Sequence, residues 1–197
     1  MNAVILGCIM FTAACGSGSD SSENPISENA FDEANSAASD LTFSFLDANG
    51  EALSSAVRAT DDVIATTTGN VTYEGYITGG TEDDGNFVAS LELTADFVSS
   101  ELVGSASDFR FEDNTALAGT ITGAGSLSSG TSDGTFPQAT VTLSGTLVDD
   151  GVSRPTEIAL DGDFYEADSS DIGAIAGLAE GDICASEIED GLFAAQQ

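Results

Sequence analysis

The side chains of this chain that could do chemistry are carboxylates and cysteines. Acidic pairs stand at Asp61-Asp62, Asp83-Asp84 and Asp149-Asp150, and cysteines at Cys8, Cys15 and Cys184. Paired carboxylates serve glycoside hydrolysis only when they face each other across a cleft at a set separation. Neighbours in a turn point apart into water. The acid-rich turns GTEDDG, VDDG and DGD supply the hard oxygen ligands that calcium takes, but none has the full spacing of a calcium loop. Residues 47–51, DANGE, resemble a fragment of such a loop. Phe45 occupies a position that needs an acid, so Asn49-Gly50 reads as a hairpin turn instead. The chain has no histidine. That removes the base of Ser-His-Asp and Cys-His catalysis and the commonest zinc and haem ligand. No catalytic residue, metal site or cofactor is expected, and the chain reads as a non-enzyme.

Cys15 has another chemistry. Residues 1–15, MNAVILGCIMFTAAC, form an apolar run that ends in small residues before a cysteine. Thr12-Ala13-Ala14-Cys15 is how a bacterial lipoprotein signal ends, with the cysteine becoming the lipidated N terminus. Ile5-Leu6-Gly7-Cys8 matches such a box by residue type but leaves little hydrophobic length ahead of it. A plain secretory signal and a buried first strand are the other readings of this run, which is too short for a membrane-spanning helix. Lipidation at Cys15 makes outer-membrane lipid a partner, on the cell surface or the periplasmic face. Residues 16–40, rich in Ser, Asn, Gly and acid, are expected to be a flexible acidic linker, a disordered tether between anchor and domain. Cys184 then has no thiol partner and is expected to be a small buried hydrophobe.

Thirty-four acidic residues face three arginines, Arg58, Arg110 and Arg154, and no lysine, for a formal charge of −31. Phosphate binding needs basic residues, so nucleic acid is excluded as a partner. Such a field favours cations, basic partners or solubility in salty water.

The elements that would position any site are strands. Residues 41–68 are read as a leading strand (LTFSFL, with Leu41, Phe43 and Phe45 on one face) and a connection. Within it EALSSAV suits a short helix and DVIATTT a strand. Residues 69–181 alternate with the period of two that a half-buried strand requires. VTYEGYIT places Val71, Tyr73 and Ile77 on one face. NFVASLELTADF does the same with Phe87, Ala89, Leu91, Leu93, Ala95 and Phe97. LVGSASDFRF follows with Val103, Phe109 and Phe111, and LAGTIT with Leu117 and Ile121. Val141, Leu143 and Leu147 line one face of the next run, and Ile158, Leu160 and Phe164 one face of the run after it. Residues 182–197 are taken as a C-terminal tail. Seven to nine short strands with Gly, Asp and Ser turns describe an all-β meander, closed as a barrel or folded as a sandwich. Gly75, Gly104, Gly119, Gly145 and Gly162 sit inside strands, where glycine costs stability unless the sheet must bend. They favour the barrel. A lipid-spanning barrel shows aromatic girdles at its interfaces. The absence of Trp and the three Tyr favour a barrel with an apolar interior instead.

Three passages resemble the β-barrel domain of the transferrin-binding protein B family of bacterial surface lipoproteins. These are VTYEGYITGG, SLELTADFVSSELVGSASDF and the closing TLSGTLV…IALDGDFYEADSSDIGAIAG. The last passage is similar to the family's GxFYG-like strand, with Glu166 where the family favours glycine. The resemblance implies a single eight-stranded antiparallel up-and-down β-barrel, all-β, lipid-anchored at the outer membrane. It further implies a binding lipoprotein that captures a protein or a small-molecule solute, with a link to iron or haem acquisition; the chain is expected to be a monomer. It carries over no binding residue. An acidic structural or adhesive surface module, with or without bound cations, is the alternative.

Overall fold

The computed structural model describes residues 30–82, 84–128, 136–168 and 171–197. Cys15 and Cys8 lie outside them. Two helices precede eight strands: α1 (Ala30–Thr42), α2 (Asp61–Thr66), β1 (Asn70–Thr81), β2 (Gly85–Asp96), β3 (Glu101–Phe111), β4 (Ala116–Ser128), β5 (Gln138–Asp149), β6 (Val152–Asp168), β7 (Asp171–Ile183) and β8 (Ser186–Gln196). Each strand pairs with the next in sequence, and β8 returns to β1, with Glu74 opposite Gln196, so the sheet is a closed barrel. All pairings are antiparallel, which gives the expected eight-stranded up-and-down topology.

The alternation of residues decides the two faces of the wall. Tyr73, Ile77, Phe87, Leu91, Leu93, Phe109, Ile121, Leu143, Ile158, Phe164, Ile175 and Phe193 are buried in one inner core. The opposite face of β4 and β5 exposes Thr120, Thr122, Thr140, Thr142, Ser144 and Thr146. Apolar inside and polar outside is the reverse of what a lipid-facing barrel wall requires. Several in-strand glycines sit where neighbouring strands approach closely. A Cβ on Gly162 would stand 2.6 Å from the Ala176 carbonyl oxygen and 2.7 Å from Phe193 Cζ, and one on Gly104 2.8 Å from Leu93 Cδ2. At Gly162 the β7 backbone blocks any side chain, whereas at Gly104 the leucine tips would have to move aside.

The boundaries differ from the sequence reading in four places. The 16–40 linker ends in a helix: α1 begins at Ala30 and lays Phe31, Ala34 and Ala38 over the outer side chains of Val88 and Tyr76. Those positions share one helical face, and Asp32 and Glu33 in its first turn suit the helix dipole. The leading strand at 41–46 is absent because the helix runs through Thr42; Thr42 is buried while Phe43 is half-exposed. Within 51–68 neither assignment holds. DDVIAT forms α2, with Asp61 and Asp62 in its first turn, and EALSSAV is irregular. The tail at 182–197 is wall: β7 ends at Ile183 and β8 closes the barrel, so the domain covers residues 70–196.

The last strand has no strand signature in its sequence for a physical reason. Residues 191–195 are buried without a break, because β8 is covered on both faces and so has no polar alternation to read. The cover is an arm at 41–56. Leu46 inserts among Tyr165, Ala174, Ala176, Leu192 and Ala194 on the outside of β6–β8, with Leu41, Phe45, Ala52 and Ala56 around it. The Asn49-Gly50 turn is present: Leu46 bridges Ala52, and Asp47 Oδ1 accepts the Asn49 and Glu51 amides at 2.8 and 3.0 Å. Those amides hold the Asp47 carboxyl below its usual value.

One residue within the wall also departs from expectation. Val103 is half-exposed, and Leu102 takes the inner position. The register shifts between Ser107 and Phe109, where Asp108 has φ 54°. This bulge inserts one residue and exchanges the faces. Leu102 and Ala106 before it therefore point the same way as Phe109 and Phe111 after it.

Candidate binding site at the barrel mouth

In an up-and-down barrel the turns after odd strands all gather at one end. Here those turns are 82–84, 112–115, 150–151 and 184–185. The other end receives the chain from α2 and is stopped by it. Val63 and Ile64 of α2 pack against the inner core, and Phe97 meets Phe164 at 5.8 Å between ring centroids. The plug is held by a strap: Ala59 N–H donates to Phe164 O at 2.8 Å and Glu166 N–H to Val57 O at 2.9 Å. Arg58 Nε stands 3.1 Å from Asp163 Oδ2, and its guanidinium lies 4.9 Å from the Phe136 ring centre.

The open end holds a cavity of about 460 Å³, within the size range of small-ligand sites. Phe111 and Leu117 line it from β3 and β4, but at 4% and 6% exposure both are already covered by the protein. Asp84, Asp113, Asp149, Arg154, Thr115 and the turn at 184–186 form the rim. The turns are short and locally specified. Asp150-Gly151 and Cys184-Ala185 both carry two positive φ angles (46° and 80°, 56° and 72°), the geometry of two-residue hairpins that follow the strand twist. Asp113 Oδ1 accepts the Thr115 amide at 2.8 Å, which closes the β3–β4 turn and holds the carboxyl below its usual value.

The charges around the opening are unequal. Arg154 Nε approaches Asp149 Oδ2 at 3.9 Å, while Asp84 and Asp113 have no basic partner among the described residues. Cys184 is half-buried, and its N–H donates to Thr156 Oγ1 at 3.1 Å. Burial pushes its thiol above the usual value, and the Asp149 and Asp84 carboxylates push it further, against Thr156 and Arg154. At neutral pH it is a thiol, a poor nucleophile and a poor metal ligand. Among the described residues, no three acidic, cysteine or histidine side chains converge to hold a metal ion.

The acidic pairs noted in the sequence are spread out. Asp61 and Asp62 begin α2 at the plugged end, and Asp149 is at the mouth with Asp150 in the turn beside it. Asp84 is at the mouth; Asp83 lies outside the described residues. DGD is not a turn but lies within β6, paired with β5, and its Asp163 sits on the outer wall. Burial raises its carboxyl, Arg58 opposes this and Asp161 adds to it. Phe111 and Leu117 read as inner-face residues in the sequence, but their place at the opening does not, nor do the places of Asp113 and Arg154; Cys184, expected to be buried, packs against the core but is only half-buried and lines the cavity. Counting turns by parity would have found that end. A second groove, about 840 Å³, runs between α1 and the outside of β1–β3. Its walls mix polar side chains (Thr72, Glu74, Ser90, Glu92) with apolar ones (Leu41, Tyr76, Leu91).

Fold and cavity together define a small single-barrel protein, plugged at one end and open at the other. The sequence matches no family model, and no curated protein matches it.

Proposed function

We propose that the chain is a non-enzymatic binding protein of the bacterial cell envelope, anchored to outer-membrane lipid through Cys15, which captures a solute or protein at the barrel mouth. The observation that carries this reading is the asymmetry of the barrel, closed by α2 and hollow at the other end. A polar outer wall suits a barrel that stands in water on a tether. The topology is also what the likeness to transferrin-binding protein B barrels implies, and with it comes the suggested link to iron or haem uptake. The test is metabolic labelling with a palmitate analogue, combined with protease shaving of intact cells. Wild-type protein takes up the label and fractionates with membrane, while Cys15→Ser protein does neither. An unlabelled protein in the soluble fraction overturns the proposal.

The uncharged Thr and Ser face of β4 and β5 favours a second reading, an adhesive or structural surface module. Under that reading, deletion alters attachment of cells and leaves solute uptake unchanged.

A further inference from the structure

We infer that Asn49 is a site of spontaneous covalent modification, conversion of its side-chain amide to a carboxylate through a cyclic imide. The docked arm restrains this conversion, and the conversion, once made, releases the arm. The chain has eight asparagines, and only Asn49 precedes glycine. That neighbour sets the chemistry. The backbone nitrogen of Gly50 gives up its proton and attacks Cγ of Asn49. A C–N bond forms, and the side-chain nitrogen leaves with that proton as ammonia. Water then opens the imide at either carbonyl, leaving aspartate or isoaspartate. Water is the only co-reactant. Glycine permits the approach because it has no Cβ to crowd the attacking nitrogen.

Two features of the fold hold the reaction back. The attacking nitrogen is engaged: Gly50 N–H donates to Asp47 O at 3.0 Å, and Asp47 Oδ1 takes the amides on either side of it. The turn is also seated. A Cβ on Gly50 would collide with Leu178 Cδ2 and stand 3.2 Å from Leu192 Cδ2, so the Gly50 backbone rests on β7 and β8. Ring closure brings the nitrogen onto Cγ, a movement that the bonded and seated turn opposes. Conversion therefore proceeds through local opening of the arm. Asn49 itself is exposed and lines an open groove of about 420 Å³, so water reaches it.

The product does not fit where asparagine did. Isoaspartate carries the chain through its side chain and lengthens the backbone by a methylene group. A turn resting on two leucines has no slack for it. Either product also adds a carboxylate to a groove already lined by Glu180 and Asp190 and by no basic residue. Both effects act against docking. With the arm goes the cover over Tyr165, Ala174, Ala176, Leu192 and Ala194. The change runs one way, because the ammonia is lost to water.

The full chain is aged in mildly alkaline buffer beside a synthetic peptide of residues 45–53. Conversion at Asn49 is followed by mass spectrometry and by isoaspartyl methyltransferase labelling. Wild-type chain is expected to convert about tenfold more slowly than the peptide, and Asp47→Ala and Leu46→Ala chains about tenfold faster than wild type. Each variant is referred to a peptide with the same substitution, which cancels changes in intrinsic reactivity. Asp47 is on the surface turn, so its variant tests the restraint even where Leu46→Ala loosens the whole arm. Release is read at the Leu53 amide, which donates to Phe45 O in the docked arm. Its hydrogen exchange is expected to quicken in converted chain and in Asn49→Asp, and to stay at the wild-type rate in Asn49→Gln aged alongside. If Asn49 stays intact in wild type and both variants, it is no modification site. If wild type converts as fast as its peptide, or the variants no faster than wild type, docking is not the restraint. If converted chain exchanges at Leu53 like unconverted chain, the modification does not release the arm, and the inference falls.

Discussion

Arg58 and Asp163 face each other at 3.1 Å across the strap that holds α2 in the end of the barrel. One arginine of three is thus committed to fastening the plug. Burial raises the Asp163 carboxyl and Arg58 pulls it back down. Arg58→Gln therefore moves Asp163 further up, as a carbon-detected NMR titration of its carboxyl will report. The sign for stability follows. A carboxyl raised above its unfolded value binds its proton more tightly in the fold, so its contribution grows as pH falls through the raised value and fades as pH rises. In the variant this dependence becomes steeper, and a titration identical to wild type would dissociate Asp163 from Arg58.

Gly162→Ala places a methyl group against Phe193 and the β7 backbone, where the gap is already too small. Overpacking of this kind costs about 1–3 kcal/mol. The comparison is Gly69→Ala, where nothing lies within 4 Å and only the positive φ of 84° resists. Urea unfolding should rank Gly162→Ala as the more damaging. The reverse order would mean that backbone strain, not crowding, dominates.

Leu46→Ala removes the side chain that joins the 41–56 arm to β6–β8. Leucine-to-alanine changes at buried sites cost about 2–5 kcal/mol. The loss appears as a lower urea midpoint with an early rise in hydrogen exchange at the bridge between Leu46 and Ala52. A change below about 0.5 kcal/mol, the effect of a surface substitution, would show that the arm is not docked in solution.

Ala185 holds φ 72° at the mouth without being glycine. Left-handed backbone costs an L-residue roughly 1–2 kcal/mol. Ala185→Gly is therefore expected to raise stability by about 1 kcal/mol, read as a higher melting temperature, and a lower one would refute the strain.

A charge of −31 repels itself. Screening shortens the Debye length from about 30 Å at 0.01 M salt to about 3 Å at 1 M. The melting temperature should climb steeply with sodium chloride over the first few hundred millimolar and flatten beyond. A flat response would mean that the carboxylates lie far enough apart in the fold for water alone to screen them.

The barrel was legible where one face met water and the other the core, as in β2, whose Phe87, Leu91 and Leu93 alternate with Glu92 and Thr94. It was illegible where both faces were covered. The GLFAA of β8 carries no alternation, because the 41–56 arm lies on its outside, and so 182–197 reads as a tail. Helix α1 was hidden by its own small residues, since Ala34 and Ala38 make an apolar stripe too faint to stand out among serines. The cavity was legible only in part. Phe111 and Leu117 read as inner-face residues, but that Asp84, Asp113 and Arg154 meet around them follows from topology, which places turns far apart in sequence side by side.

The seam between β1 and β8 joins Glu74 to Gln196, nearly the two ends of the barrel sequence. Everything that depends on it waits for the last strand. The arm at Leu46 has no surface to dock on until β6, β7 and β8 exist, and α2 has no rim to stop until the wall curves round it. Contacts of such long sequence separation make folding slow. Seven of the eight pairings join neighbouring strands, so β8 alone decides whether the sheet is an open ribbon or a closed wall.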